Sequence, residues 1–242
     1  MAYVTKHHPH DYLPAAGHDA LLPCYDLFAR LLGMTKVYDT LIAQAELADG
    51  SRVLEIGCGT GNLTTRVKHD HPSIEVIGSD PDPRALDRAG RKADGLNGIR
   101  FDHGYAQRLP YEDGEFDRVL SSMMLHHLDE HAKSAAADEV FRVLRPGGRL
   151  HLVDIGGQLT DRDGLAARFI RRSHHAAGNL GDAIPRLLRA AGFDCTEVAT
   201  HRQRFVGRLT YYRATRAAKR PESTRDASKA TEHSHAMDVD PT

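Results

Sequence analysis

Apolar positions change period several times along the chain, and each change marks an element. Leu21-Leu22, Leu27-Phe28 and Leu31-Leu32 recur at helical spacing, and Val37, Leu41-Ile42 and Ala45 continue the pattern, so two helices are expected ahead of the first strand. Short β-branched or aliphatic runs follow at Arg52 to Ile56, Ile74 to Ser79, Ile99 to His103, Arg118 to Ser122 and Arg149 to Ile155. Helical patterns separate them at Leu63 to His69, Pro83 to Ala93 and His131 to Leu144, with another at Ala183 to Ala191. Strands alternating with helices predict a parallel sheet covered on both faces. The last two runs, Cys195 to Phe205 and Arg208 to Ala214, are separated only by Val206-Gly207. Only a hairpin bridges so short a gap, so this sheet should finish antiparallel.

The flanks read differently. Residues 1–20 carry histidines and prolines, and 217–242 have almost no large apolar groups, so both are expected to be poorly ordered around one domain over 21–216, whose helical cap is 21–48. A chain of 242 residues is long enough for one such core. Its formal charge of −1 recommends neither nucleic acid nor an anionic membrane as a partner. No apolar run approaches membrane-spanning length or resembles a signal peptide, and the expected location is cytoplasmic. Cys24, Cys58 and Cys195 are widely spaced, which fits a reducing compartment and gives no zinc spacing. The sixteen histidines raise metal binding, but His7, His8 and His10 lie in a proline-bearing terminus, and the pairs His126-His127 and His174-His175 diverge on any regular element. No metal site is expected.

The candidate chemistry begins at Val53-Leu54-Glu55-Ile56-Gly57-Cys58-Gly59-Thr60-Gly61, a strand running into a glycine turn ahead of a helix. In open α/β sheets ligands sit at the carboxyl ends of the strands. Three glycines at alternate positions exceed what a tight turn needs and point to close backbone approach by a ligand. A dinucleotide site spaces its glycines GxGxxG and places pyrophosphate on the helix N-terminus. Here the spacing is GxGxG, and Glu55 would repel a phosphate at the same turn. A ligand with a cationic amino-acid group and no phosphate removes the conflict.

These residues resemble the first motif of the class I S-adenosylmethionine-dependent methyltransferases, in particular the small-molecule group that includes ubiquinone and menaquinone methyltransferases. The resemblance covers about Tyr25 to Arg216. It implies a Rossmann-like open seven-stranded sheet, mostly parallel with an antiparallel C-terminal hairpin and helices on both faces. It also implies S-adenosyl-L-methionine as cofactor, with Glu55, Gly57, Gly59 and Gly61 around it. Asp80 and Pro81 end the second strand, where a carboxylate can accept both ribose hydroxyls, while Asp82 suits the N-cap before Pro83. Gly104 to Pro110 is similar to the family's adenine-contacting loop. Tyr105 stands where that loop commonly has aspartate, and Ala106 offers its backbone N–H. Phe116 to Leu128 resembles the fourth-strand motif, which places Ser121 and Met123 beside the methionine portion. Leu144 to Leu150 resembles the turn before the fifth strand, where proline and paired glycines would reverse the chain. Tyr25 matches the tyrosine that relatives use to cap the cofactor's carboxylate.

Methyl transfer from a sulfonium is an in-line displacement, so positioning the acceptor comes first. For an acidic acceptor a histidine base suits, and His126 and His127 follow the fourth strand. His174, His175, Arg168, Arg171 and Arg172 lie in the linker after the fifth. The expected acceptor is a small organic molecule, methylated at oxygen, carbon or nitrogen. Two alternatives stand beside it: a non-catalytic cofactor-binding or scaffold protein on the same fold, and an NAD(P)-dependent reductase, which Glu55 and the glycine spacing disfavour.

Overall fold

A computed structural model describes residues 33–158, 178–203 and 207–218. The lead-in, the first expected helix, Tyr25, the linker residues His174, His175, Arg168, Arg171 and Arg172, and the tail beyond 218 lie outside the described residues.

The chain order is α1 (Met34–Ala45), β1 (Arg52–Ile56), α2 (Asn62–Asp70), β2 (Glu75–Asp80), α3 (Pro83–Lys92), β3 (Ile99–His103), β4 (Phe116–Ser122), α4 (Glu130–Val143), β5 (Leu144–Ile155), α5 (Ala183–Ala190), β6 (Asp194–Gln203) and β7 (Gly207–Thr215). A short 3₁₀ turn, Leu125–His127, joins β4 to α4. The seven strands form one sheet in the order β3-β2-β1-β4-β5-β7-β6. Pairings from β3 to β5 are parallel, and β7 runs antiparallel to both β5 and β6. Strand order reverses between β1 and β4, so the carboxyl ends of these neighbours face a crevice.

Two apolar layers hold helices against the sheet. One gathers Leu54, Ile56, Phe116, Val140, Leu152, Ile184 and Tyr212. The other joins Val37, Leu41 and Ile42 of α1 to Val53, Leu63, Val67, Leu120 and Tyr211. Each fully buried aliphatic or aromatic side chain contributes about 1.5–3 kcal/mol. The last turn of α1 has no basic residue of its own. The sheet supplies positive charge there instead: Arg118 Nε donates to the Ala45 carbonyl at 2.9 Å, and Arg149 pairs with Glu46 at 2.7 Å. Beside these arginines His151 is fully buried, and burial, then the charges of Arg118, Arg149 and Arg213, push its pKa down to about 3. It is a neutral core residue.

The segment Leu144 to Leu150 departs from the sequence expectation. Instead of a reversing turn it opens a continuous strand with an irregular register, in which Phe116 pairs with Leu144 and Arg118 with Arg149. The extra residues bulge outward, and Gly147 and Gly148 exchange backbone hydrogen bonds with Arg216 at 2.8 and 3.0 Å. Tertiary pairing satisfies the backbone groups that a local turn would have left to solvent.

Candidate active site

The expected glycine turn joins β1 to α2, with φ of 69°, 51° and 73° at Gly57, Gly59 and Gly61. The three glycines do different work. A Cβ on Gly57 would lie 2.2 Å from Met124 Cγ, and one on Gly61 would meet Ala89 Cβ at 2.7 Å and the Phe101 ring at 2.9 Å. A Cβ on Gly59 would meet nothing within 4 Å, and Gly59 lines a pocket at the carboxyl ends of β1, β2 and β4. Gly57 therefore admits Met124, Gly61 lets α2 pack, and Gly59 leaves bare backbone facing the pocket.

Two carboxylates share this pocket. Glu55 is almost completely buried and accepts a hydrogen bond from the Thr64 hydroxyl. Burial, opposed by that hydrogen bond and reinforced by the charge of Asp80, raises its pKa to about 8. Asp80 Oδ2 accepts the Gly59 N–H at 2.8 Å, and its Oδ1 accepts the Asp82 N–H at 2.9 Å. Its pKa is also raised, chiefly by burial, with the two backbone donors opposing. Asp82 caps α3, accepting from the N–H groups of Arg84 and Ala85 at 2.9 and 3.4 Å.

The opposite wall is the loop after β3, where Tyr105, Ala106 and Gln107 face the pocket. Tyr105 closes a tight turn by accepting the Arg108 N–H at 2.9 Å, and its ring stands edge-on to His103 with centroids 5.8 Å apart. At the end of β4, Met123 takes a φ of 57°, uncommon outside glycine, and it lines the pocket with Met124, His127 and Leu128. Strain of this kind costs roughly 1–3 kcal/mol and gathers at functional sites.

The structure thus brings Glu55, Gly57, Gly59, Asp80, Pro81, Tyr105, Ala106, Met123 and His127 to one pocket. Gly61 supports it from behind, and Ser121 is fully buried beneath, its neighbour Ser122 lining the wall instead. His126 lies outside the pocket wall, with its ring centroid 4.1 Å from that of His127. Its Nδ1 is 2.7 Å from Oδ1 of Asp154, a fully buried residue of β5 that also receives the His126 backbone N–H at 3.3 Å. Burial pushes the His126 pKa down, but the charge and hydrogen bond of Asp154 outweigh it and the net shift is upward. The sequence pattern missed Tyr38 of α1, which lines the pocket and sits on a helix legible only as amphipathic, and Asp154, which reads as one polar residue in an apolar strand. Cys58 also lines the pocket, but burial and then the charges of Glu55 and Asp80 raise its thiol pKa well above the ordinary value, so it stays protonated. Among the described residues no three histidine, cysteine or acidic side chains converge as metal ligands, and no helix is long and apolar enough to cross a membrane.

Residues 53–148, which hold the glycine turn, both carboxylates and the histidine pair, match the family described as "Methyltransferase domain". By this match, residues 53–148 are similar to a methyltransferase domain. The chain is similar to demethylmenaquinone methyltransferase of Deinococcus radiodurans, 37% identical over 139 residues, which is 56% of this chain and 57% of that protein. It is also similar to 27-O-demethylrifamycin SV methyltransferase of Amycolatopsis mediterranei, 37% identical over 125 residues, 50% of this chain and 44% of that one. The matched part thus spans about half the length of these relatives. Among solved structures, YcgJ of Bacillus subtilis superposes with a TM-score of 0.62 at 19% identity, covering 74% of this chain and 97% of that one. The [4+2]-cyclase SpnF superposes at 0.63 with 22% identity, covering 76% and 80%. Both are likenesses of fold.

Proposed function

We propose that this methyltransferase domain binds S-adenosyl-L-methionine in the pocket over Gly59 and methylates a small organic molecule. The observation that carries the proposal is the pair Glu55 and Asp80, two buried carboxylates flanking bare glycine backbone. Among the described residues such a site presents side-chain acceptors and no cation, which disfavours pyrophosphate and suits a ligand that presents a cation and two ribose hydroxyls. The donor set fits: Asp80 would accept from the ribose, Glu55 would face the amino-acid portion, and Tyr105, Ala106 and Gln107 would border the adenine. Met123 and Met124 would line the region beside the sulfonium. When bound, the cofactor supplies an electrophilic methyl group.

The chain's own task is to orient an acceptor and manage one proton. His127 lines the pocket with Met124 and Leu128 and would take the proton of a phenol, enol or similar acceptor at a ring nitrogen. His126, tied through Nδ1 to Asp154, packs behind it and fixes its position. The apolar flank favours a flat, weakly polar acceptor, in keeping with the demethylmenaquinone and 27-O-demethylrifamycin SV methyltransferases among its relatives.

A second reading keeps the cofactor site without methyl transfer. Tyr105 in the adenine loop favours it, as does the likeness to SpnF, described as a cyclase. Calorimetric titration with S-adenosylmethionine and, separately, NADH tests the site, and turnover with a panel of phenols and quinols separates the two readings. Saturable binding of the sulfonium alone is expected; binding of NADH alone would overturn the proposal.

A further inference from the structure

The loop that brings Tyr105, Ala106 and Gln107 to the pocket has no regular structure between Gly104 and Tyr111, so its position depends on its anchors. At its start, Gly104 donates its N–H to the Asp80 carbonyl at 3.2 Å. At its far end the anchor is supplied by α4. Glu139 Oε2 accepts the Leu109 N–H at 2.8 Å. One turn further along, Arg142 donates from Nη2 to the Leu109 carbonyl at 3.1 Å, and from Nη1 to the Tyr111 carbonyl at 2.7 Å and the Asp113 carboxylate at 2.8 Å. The two side chains also hold each other, Nε to Oε1 at 2.8 Å and Nη2 to Oε2 at 2.9 Å.

As a source of stability this is a poor device, because the two side chains are 31% and 21% exposed and ion pairs so open to water contribute only about 0–1 kcal/mol. As a positioning device it is specific. Only a planar fork of donors reaches two carbonyls and two carboxylates at once, and an ammonium cannot. The same helix follows directly on the His126-His127 turn, so it ties the loop wall of the pocket to the acceptor wall.

We propose that Glu139 and Arg142 are positioning residues for the cofactor. By fastening Leu109 and Tyr111 they set the Tyr105 to Gln107 turn against the pocket and thereby determine recognition of the adenine ring. The inference rests on the pocket being the S-adenosylmethionine site.

The test uses the full chain and two ligands, S-adenosylhomocysteine and S-inosylhomocysteine, which differ only on the purine edge, at the 6-substituent and the N1 proton. Wild type should prefer the adenine ligand. Arg142→Lys, which keeps the charge and loses the fork, should lose about tenfold in affinity for S-adenosylhomocysteine, the scale of one or two charge-assisted hydrogen bonds. It should lose much less for the inosine analogue, so that the preference collapses while the melting temperature shifts by only a few degrees, on the order of a surface change. Hydrogen exchange at the Leu109 amide should accelerate in Glu139→Ala even without ligand. Unchanged purine preference in Arg142→Lys, or equal loss of both ligands, would overturn the inference while leaving the proposed function standing. No binding of S-adenosylhomocysteine by wild type would overturn both.

Discussion

The backbone N–H of Gly59 donates to Asp80 Oδ2 over 2.8 Å, so the carboxylate proposed to hold the ribose also braces the glycine turn across the pocket floor. Asp80→Ala should therefore weaken S-adenosylmethionine binding by about tenfold or more and cost stability of roughly 1.5–3 kcal/mol, the range for hydrogen bonds to a charged group. Asp80→Asn, which keeps one acceptor oxygen, should recover part of the stability and little of the affinity. Calorimetry paired with denaturant unfolding separates the two effects, and unchanged affinity in folded Asp80→Ala would refute the ribose assignment.

Lys92 reaches from the end of α3 to the same turn, placing Nζ 2.8 Å from the Thr60 carbonyl, 3.0 Å from the Thr60 hydroxyl and 2.7 Å from Asn62 Oδ1. A cation at the start of α2 opposes the helix dipole, and Gly61 provides no side-chain cap, so these three bonds must hold the turn against that cost. Lys92→Met should lower stability by about 1–2 kcal/mol. Because Thr60 and Asn62 line the pocket, cofactor affinity should fall as well, and calorimetry reads this directly.

Glu55 has a pKa raised to about 8 from an ordinary 4.5, so the folded protein holds a proton that the unfolded chain has lost between those values. Its contribution to stability is full below pH 4.5 and is lost as pH rises through about 8. The α-ammonium of the bound cofactor favours the ionised carboxylate, so affinity for S-adenosylmethionine, and equally for S-adenosylhomocysteine with its identical amino-acid group, should rise over the same interval. Glu55→Gln should flatten both trends. A pH-independent affinity for both ligands in wild type would show that Glu55 does not sense the ammonium.

His126 and Asp154 give a second pH signature. Since the His126 pKa is raised above 6.5, their ion pair stabilises fully below that value and its contribution is lost as pH rises through the folded-state pKa. Asp154→Asn should remove this component and leave the Glu55 component intact, which unfolding curves across pH will resolve. It should also be costly, about 3–5 kcal/mol for breaking a buried pair.

His127→Ala should reduce turnover of an acidic acceptor by about a hundredfold to ten-thousandfold, the range for a positioned base, while S-adenosylmethionine affinity stays within a few-fold. Separate measurement of kcat, KM and cofactor affinity distinguishes this from a cofactor-site defect. A turnover number unchanged in His127→Ala would remove the base from the mechanism.

What the sequence determined by itself is what short stretches of backbone and period encode. The strand into Gly57-x-Gly59-x-Gly61, the alternation of strands and helices, and the cap of Asp82 before Pro83 depend on dihedral preference, side-chain alternation and a carboxylate in reach of the next N–H groups. The place of Glu55 beside the glycine turn followed equally from neighbours in the chain, whereas its raised pKa comes from burial and the charge of Asp80. The tertiary structure decided everything that joins distant segments. His126 and Asp154 are 28 residues apart and Lys92 and Thr60 are 32 apart, and no period links either pair. Leu144 to Gly148 look like a turn in isolation and become strand because Phe116 and Arg216 supply partners for their backbone. Which of two adjacent histidines faces the pocket was likewise settled by a buried aspartate on another strand, since chain adjacency constrains only where a side chain starts and packing determines what it meets.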